Sequence, residues 1–66
     1  MTIGDKVKEL RLERGLSQAK LGSMIGVSQK AVAFWEGNVY EPKAFYIVAL
    51  VRALEMTFDE FFEDID

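Results

Sequence analysis

The chain has 66 residues and a net charge of −3, with eight basic side chains against eleven acidic ones and neither cysteine nor histidine. That length holds one hydrophobic core, and hence a single domain over residues 1–66, while the missing cysteine and histidine exclude a disulfide framework, cysteine-based zinc sites and imidazole acid–base chemistry. No apolar run approaches the roughly 20 residues of a membrane span and Met1–Asp5 lacks the features of a signal peptide, so a cytoplasmic protein with no membrane contact, metal, cofactor or enzyme activity is expected.

The first helix is predicted over about residues 3 to 14. Thr2 and Asp5 have capping-box spacing, and Ile3, Val7 and Leu10 repeat at helical intervals up to Gly15. Ser17 then caps a short second helix carrying Ala19, Leu21, Met24 and Ile25, which stops at Gly26 in a tight turn that calls for positive φ. Ser28 caps a third helix with Ala31, Val32 and Trp35 on its buried side, ended by Gly37 and Asn38. Val39 to Glu41 read as a loop. Pro42 suits the first turn of a fourth helix running through Phe45, Ile47, Leu50 and Leu54. Thr57 and Glu60 repeat the capping-box spacing and open a fifth helix with Phe58, Phe61 and Phe62. Nothing alternates as a strand would. The chain therefore reads as all-α.

Charge divides along these elements. Residues 1–30 carry six basic and three acidic side chains, and residues 31–66 carry two basic and eight acidic. A chain with this dipole is able to turn its basic end toward phosphates and its acidic end away, although a solvated acidic tail has the same composition.

The stretch Leu16–Glu36, LSQAKLGSMIGVSQKAVAFWE, resembles the helix-turn-helix of the lambda-repressor-like superfamily, which includes phage repressors, Cro proteins and many small XRE-type bacterial regulators. The likeness extends through Glu41-Pro42, Ala53-Leu54 and Thr57–Phe62. It implies a compact five-helix domain whose second and third helices form the motif, from about Gln18 to Trp35. It also implies a transcriptional regulator that binds a double-stranded DNA operator as a homodimer. In that setting Ser28, Gln29 and Lys30 face base edges, with Ala33 and Phe34 one turn on. The Gln29 amide suits adenine N6 and N7, whereas Lys30 suits guanine O6 and N7 or a phosphate. Gln18 matches a position that meets a backbone phosphate, and Asn38 and Lys43 are the polar donors nominated in and after the following loop. Arg11 and Glu36 match a buried structural salt bridge. Met56, Thr57 and Phe58 match the dimer contact.

Three features depart from the pattern. Gly22 stands where alanine is commoner, and suits a close crossing of the two motif helices. Phe34 occupies an exposed position that is usually polar, and would touch a thymine methyl or a protein. The fourth helix is apolar almost all round, so Phe45, Tyr46 and Val48 are candidate contacts for a second copy or for another regulator. From this last feature comes the rival expectation, an antirepressor or antitoxin-like module that binds a protein through its fourth helix and acidic surface.

Overall fold

The computed structural model describes residues 1–66 and contains five helices and no strand: α1 (Ile3–Glu13), α2 (Gln18–Ile25), α3 (Gln29–Glu36), α4 (Ala44–Ala53) and α5 (Phe58–Phe62). The all-α, five-helix expectation is met. So are the caps that delimit it. The Thr2 hydroxyl accepts from the Asp5 N–H while the Asp5 carboxylate accepts from the Thr2 N–H, and Thr57 with Glu60 repeats this reciprocal box at α5. Ser17 Oγ and Ser28 Oγ accept from the Lys20 and Ala31 amides. Each hydroxyl satisfies one N–H that its helix leaves without an internal partner.

All five helices contribute to one core of Val7, Leu10, Leu21, Val32, Trp35, Leu50, Val51, Leu54 and Phe61. α3 packs on both α1 and α2, and α2 also touches α4. With only five residues, α5 is too short to persist alone. It is held by Phe61, whose complete burial contributes on the order of 3 kcal/mol. α4 buries the stripe Ile47, Leu50, Val51 and Leu54, spaced three and four apart, and turns Phe45 outward.

One expectation needs correction. Pro42 does not lie in the first turn of α4. Its buried ring sits in the loop, Lys43 is the N-cap with an extended ψ of 159°, and helical geometry begins only at Ala44. On α2, Ala19 and Met24 lie away from the core. Both are exposed, because a helix of eight residues covered from one side by α3 and α4 hides little beyond Leu21 and Gly22. On α4 the three candidate contacts Phe45, Tyr46 and Val48 differ in exposure, and at least one faces solvent as an apolar circumference requires. Phe45 is 75% exposed, but Tyr46 is half-buried with its ring centroid 5.7 Å from that of Trp35, and Val48 is half-buried as well.

Two long-range features carry no local mark. Lys6 lies on the buried face of α1 and its Nζ donates to the Glu63 carbonyl at 3.0 Å, tying α1 to the chain beyond α5. Gly4 sits where α1 crosses the end of α3, and a Cβ there would overlap the Trp35 carbonyl oxygen and fall 2.8 Å from Asn38 Oδ1.

Gly4→Ala is therefore expected to lower stability by about 2 kcal/mol in urea melts. Overpacking against backbone costs roughly 1–3 kcal/mol, which outweighs the up to about 1 kcal/mol that alanine gains in helix propensity. A second expectation concerns acid. The Thr57 N–H, donating to Glu60, holds that carboxyl below its ordinary value of 4.5. A depressed folded-state value stabilises above the unfolded value and is lost as pH falls through the folded one. The stability difference between the parent chain and Glu60→Gln should thus be present at pH 7 and close as pH drops below 4.5, as followed by thermal melts.

Candidate nucleic-acid interface

The α2–turn–α3 unit owes its shape to two glycines. Gly26 adopts φ 78°, ψ 30°, the left-handed geometry that ends α2 at little cost only for glycine, and its N–H and that of Val27 both donate to the Gly22 carbonyl. Gly22 allows α2 to lie against the start of α3, since a Cβ there would fall 2.7 Å from the Val27 carbonyl oxygen. Leu21, Val32 and Trp35 then anchor the unit in the core, with Ile25 and Val27 packed against it.

Anchoring one side of α3 fixes what the other side presents. Val32, Trp35 and Glu36 are buried, whereas Ser28, Gln29 and Lys30 are exposed at its first turn and Ala33 and Phe34 are half-buried one turn on. Lys30 Nζ lies 5.5 Å from the Phe34 ring centroid, and that ring packs edge-on against Tyr40, centroid to centroid 5.6 Å. A cleft bordered by Ser28, Ala31, Trp35, Tyr40, Glu41, Lys43 and Phe45 separates the start of α3 from the start of α4. Lys43 and Ser28 thus lie beside one opening.

The helix ends give this side its electrostatic character. The first turns of α2, α3 and α4 contain no carboxylate, whereas those of α1 and α5 contain Asp5 and Asp59 with Glu60. Free amides and the positive end of the helix dipole are thereby left open at α2, α3 and α4, next to Lys20, Lys30 and Lys43.

Arg11 and Glu36 meet beneath the motif. Arg11 Nε donates to Glu36 Oε2 at 2.7 Å and a terminal nitrogen donates to Oε1 at 2.9 Å, with side-chain exposures of 10% and 4%. The other terminal nitrogen donates to the Leu16 carbonyl at 2.8 Å. Hydrogen bonding to Glu36 raises the guanidinium above its ordinary value against the desolvation that opposes it, so Arg11 stays charged. Glu36 Oε1 also accepts from Gln18 Nε2 at 3.2 Å. An amide nitrogen carries two hydrogens, so this leaves Gln18 one donor at the start of α2.

The structure does not gather all the residues singled out in the sequence. Asn38, in left-handed geometry at φ 59° and exposed, turns toward the start of α1: its Oδ1 accepts from the Thr2 hydroxyl at 2.7 Å and its Nδ2 donates to Asp5 at 3.4 Å. These bonds tie the α3–α4 loop to the cap of α1. Met56 is half-buried, Thr57 is occupied in its capping box and Phe58 is about half exposed, with the partly exposed Phe62 nearby on α5. Gln18–Glu36, Phe34–Tyr40 and the Asn38 bonds were not foreseen. Only the Lys30–Phe34 contact had a sequence signal, its i, i+4 spacing on one helix.

Among known proteins, the helix-turn-helix family matches residues 7–61. An HTH-type transcriptional regulator of Bacillus subtilis (strain 168), YgzD, is 38% identical over 58 residues, 88% of this chain and 88% of that protein. Repressor protein C2 of Salmonella phage P22 is 35% identical over 57 residues, which are 86% of this chain but only 26% of the repressor. The crystal structure of the P22 c2 repressor with a synthetic operator superimposes with a TM-score of 0.83 at 33% identity, covering 92% of each chain. The solution structure of the same repressor's DNA-binding domain gives 0.88 at 31% identity, covering 97% of this chain and 84% of that one.

Arg11→Met is expected to lower stability by about 3 kcal/mol, because Glu36 is left as a buried charge without its partner. Adding Glu36→Leu should restore much of the loss. Simple addition of the two losses in denaturant melts would contradict the coupling.

Proposed function

This chain belongs to the helix-turn-helix family, a class of DNA-binding regulators and not of enzymes, and we propose that it acts as a repressor that reads an operator in the major groove. The observation that carries this reading is the face of α3. Ser28, Gln29 and Lys30 stand exposed on a turn without carboxylates, opposite the buried Val32, Trp35 and Glu36. The superimposed P22 c2 repressor is bound to operator DNA in its crystal structure, which supports the same partner for this chain.

In this reading the α2 and α4 ends straddle the groove. Phosphates meet the α2 amides with the free Gln18 donor on one side and Lys43 on the other, which sets register without carrying sequence information. Gln29 supplies the selective part through a planar pairing with adenine N6 and N7. The acidic α5 region lies outside the contact, which offsets the unfavourable overall charge. Asn38 engages Oδ1 with Thr2 and one Nδ2 hydrogen with Asp5, so its second amide hydrogen stays available to a phosphate.

Two copies joining through Phe58 and its neighbours Met56 and Thr57 would present two such faces. The Cα extents of 25 × 24 × 22 Å, with side chains added, bring touching copies close to the roughly 34 Å of one helical turn. A near-palindromic site with half-sites one turn apart follows. The exposed Phe45 favours a second reading, in which another regulator docks at the start of α4.

Selection from random duplex DNA tests both readings: enrichment of a palindrome by this chain alone is the expected result, and no enrichment without a second protein would favour the docking module. On the selected site, Gln29→Ala should weaken binding by about 1–3 kcal/mol and leave a scrambled duplex nearly unaffected. Equal losses on both duplexes would remove Gln29 from the reading.

A further inference from the structure

Phe34 is the residue on the reading side that a water-facing or phosphate-facing helix has least use for. It is half-buried, and its surroundings hold it in place from two directions. Its ring lies edge-on to Tyr40 at 66° and 5.6 Å, and its carbonyl accepts from the Val39 N–H at 2.9 Å, which closes the α3–α4 loop onto the end of α3. On the other side its ring lies 5.5 Å from Lys30 Nζ, one helical turn back.

A lysine at the edge of a recognition helix ordinarily has a choice, because its four-carbon stem lets the ammonium swing between base edges and phosphates. A ring face within about 6 Å attracts the ammonium and removes part of that freedom. Because the ring belongs to the residue one turn further along α3, the bias draws the ammonium along the helix. An ammonium has donors only, so the base edge it suits is one with two adjacent acceptors. Guanine O6 and N7 provide that pair, whereas adenine sets an amino group beside N7.

From this geometry, and resting on the operator reading above, we infer that Phe34 is a positioning residue that holds the Lys30 ammonium for a guanine edge in the operator. The Lys30–Phe34–Tyr40 stack is thus a specificity device. It links the base that Lys30 reads to the conformation of the α3–α4 loop.

The test uses the electrostatics of the ring while keeping its shape. The 66-residue chain is short enough for chemical synthesis, so pentafluorophenylalanine can replace Phe34 alone, with Phe34→Tyr as the variant that keeps a normal ring. Selection with the parent chain and with Lys30→Met identifies the base pair that Lys30 reads. At that pair, preference for guanine over 7-deazaguanine should fall roughly three-fold on fluorination, persist in Phe34→Tyr, and change without altered affinity for a scrambled duplex. In the free chain, the Lys30 side-chain protons should show an upfield ring-current shift that Phe34→Leu abolishes, a readout that needs no DNA. A guanine preference insensitive to fluorination, or absence of the ring-current shift, overturns the positioning role alone. Equal weakening of all duplexes by Lys30→Met makes Lys30 a phosphate contact and overturns it too. A parent chain that enriches no site overturns both this inference and the reading beneath it.

Discussion

The orientation of the motif depends on one buried ion pair. Arg11 spends all three of its nitrogens, two on Glu36 and one on the Leu16 carbonyl, and Glu36 accepts a further bond from Gln18. Four segments therefore meet at a single carboxylate and guanidinium: the last turn of α1, the loop after it, the first residue of α2 and the last residue of α3. Burying two charges contributes little net stability, because desolvation opposes their attraction. What the pair does is narrow the arrangements of α3 that leave no charge unpaired, and the angle at which α3 projects is what a DNA-reading surface requires.

Everything on the outer face follows from that constraint and from the core beneath it. With Val32 and Trp35 held in the core and Glu36 held by Arg11, Ser28, Gln29 and Lys30 have only the solvent side left. The close approach at Gly22 and the left-handed turn at Gly26 hold α2 against the start of α3, while Gln18 at the other end of α2 meets Glu36. The capping carboxylates Asp5 and Glu60 lie at the first turns of α1 and α5, and the first turns of α2, α3 and α4 hold none, although Glu41 borders the cleft beside Lys43. A chain of net charge −3 can in this way present a locally favourable surface to DNA.

Much of this was legible from short-range signals. Thr2 with Asp5, Ser17, Ser28 and Thr57 with Glu60 announce helix starts because a cap is chemistry between residues three apart, and Gly26 announces a turn for a steric reason that is equally local. The fold followed from those marks and from helical spacing within single elements, as in Val7 with Leu10 and Val32 with Trp35. What escaped depends on partners far along the chain. Lys6 reads as a surface lysine until Glu63 is folded back onto it, and Gly4 reads as a weak point of α1 until Trp35 arrives above it. Pro42 misled for a related reason: its ring is buried by tertiary packing, and that burial moves the start of α4 two residues on. The turn of Asn38 toward the cap of α1 likewise depends on Thr2 and Asp5, more than thirty residues away.

In the proposed complex, DNA is met by the first turns of α3 and α2 and by the start of α4. Titration of the isotopically labelled chain with its selected duplex, followed by amide chemical-shift mapping, tests it most directly. The account predicts that the largest changes fall at Ser28, Gln29 and Lys30, with smaller ones at Gln18 and Lys43, and that residues 59–64 change little. Changes concentrated on α5, or spread along the outer face of α4 with α3 unaffected, would contradict it.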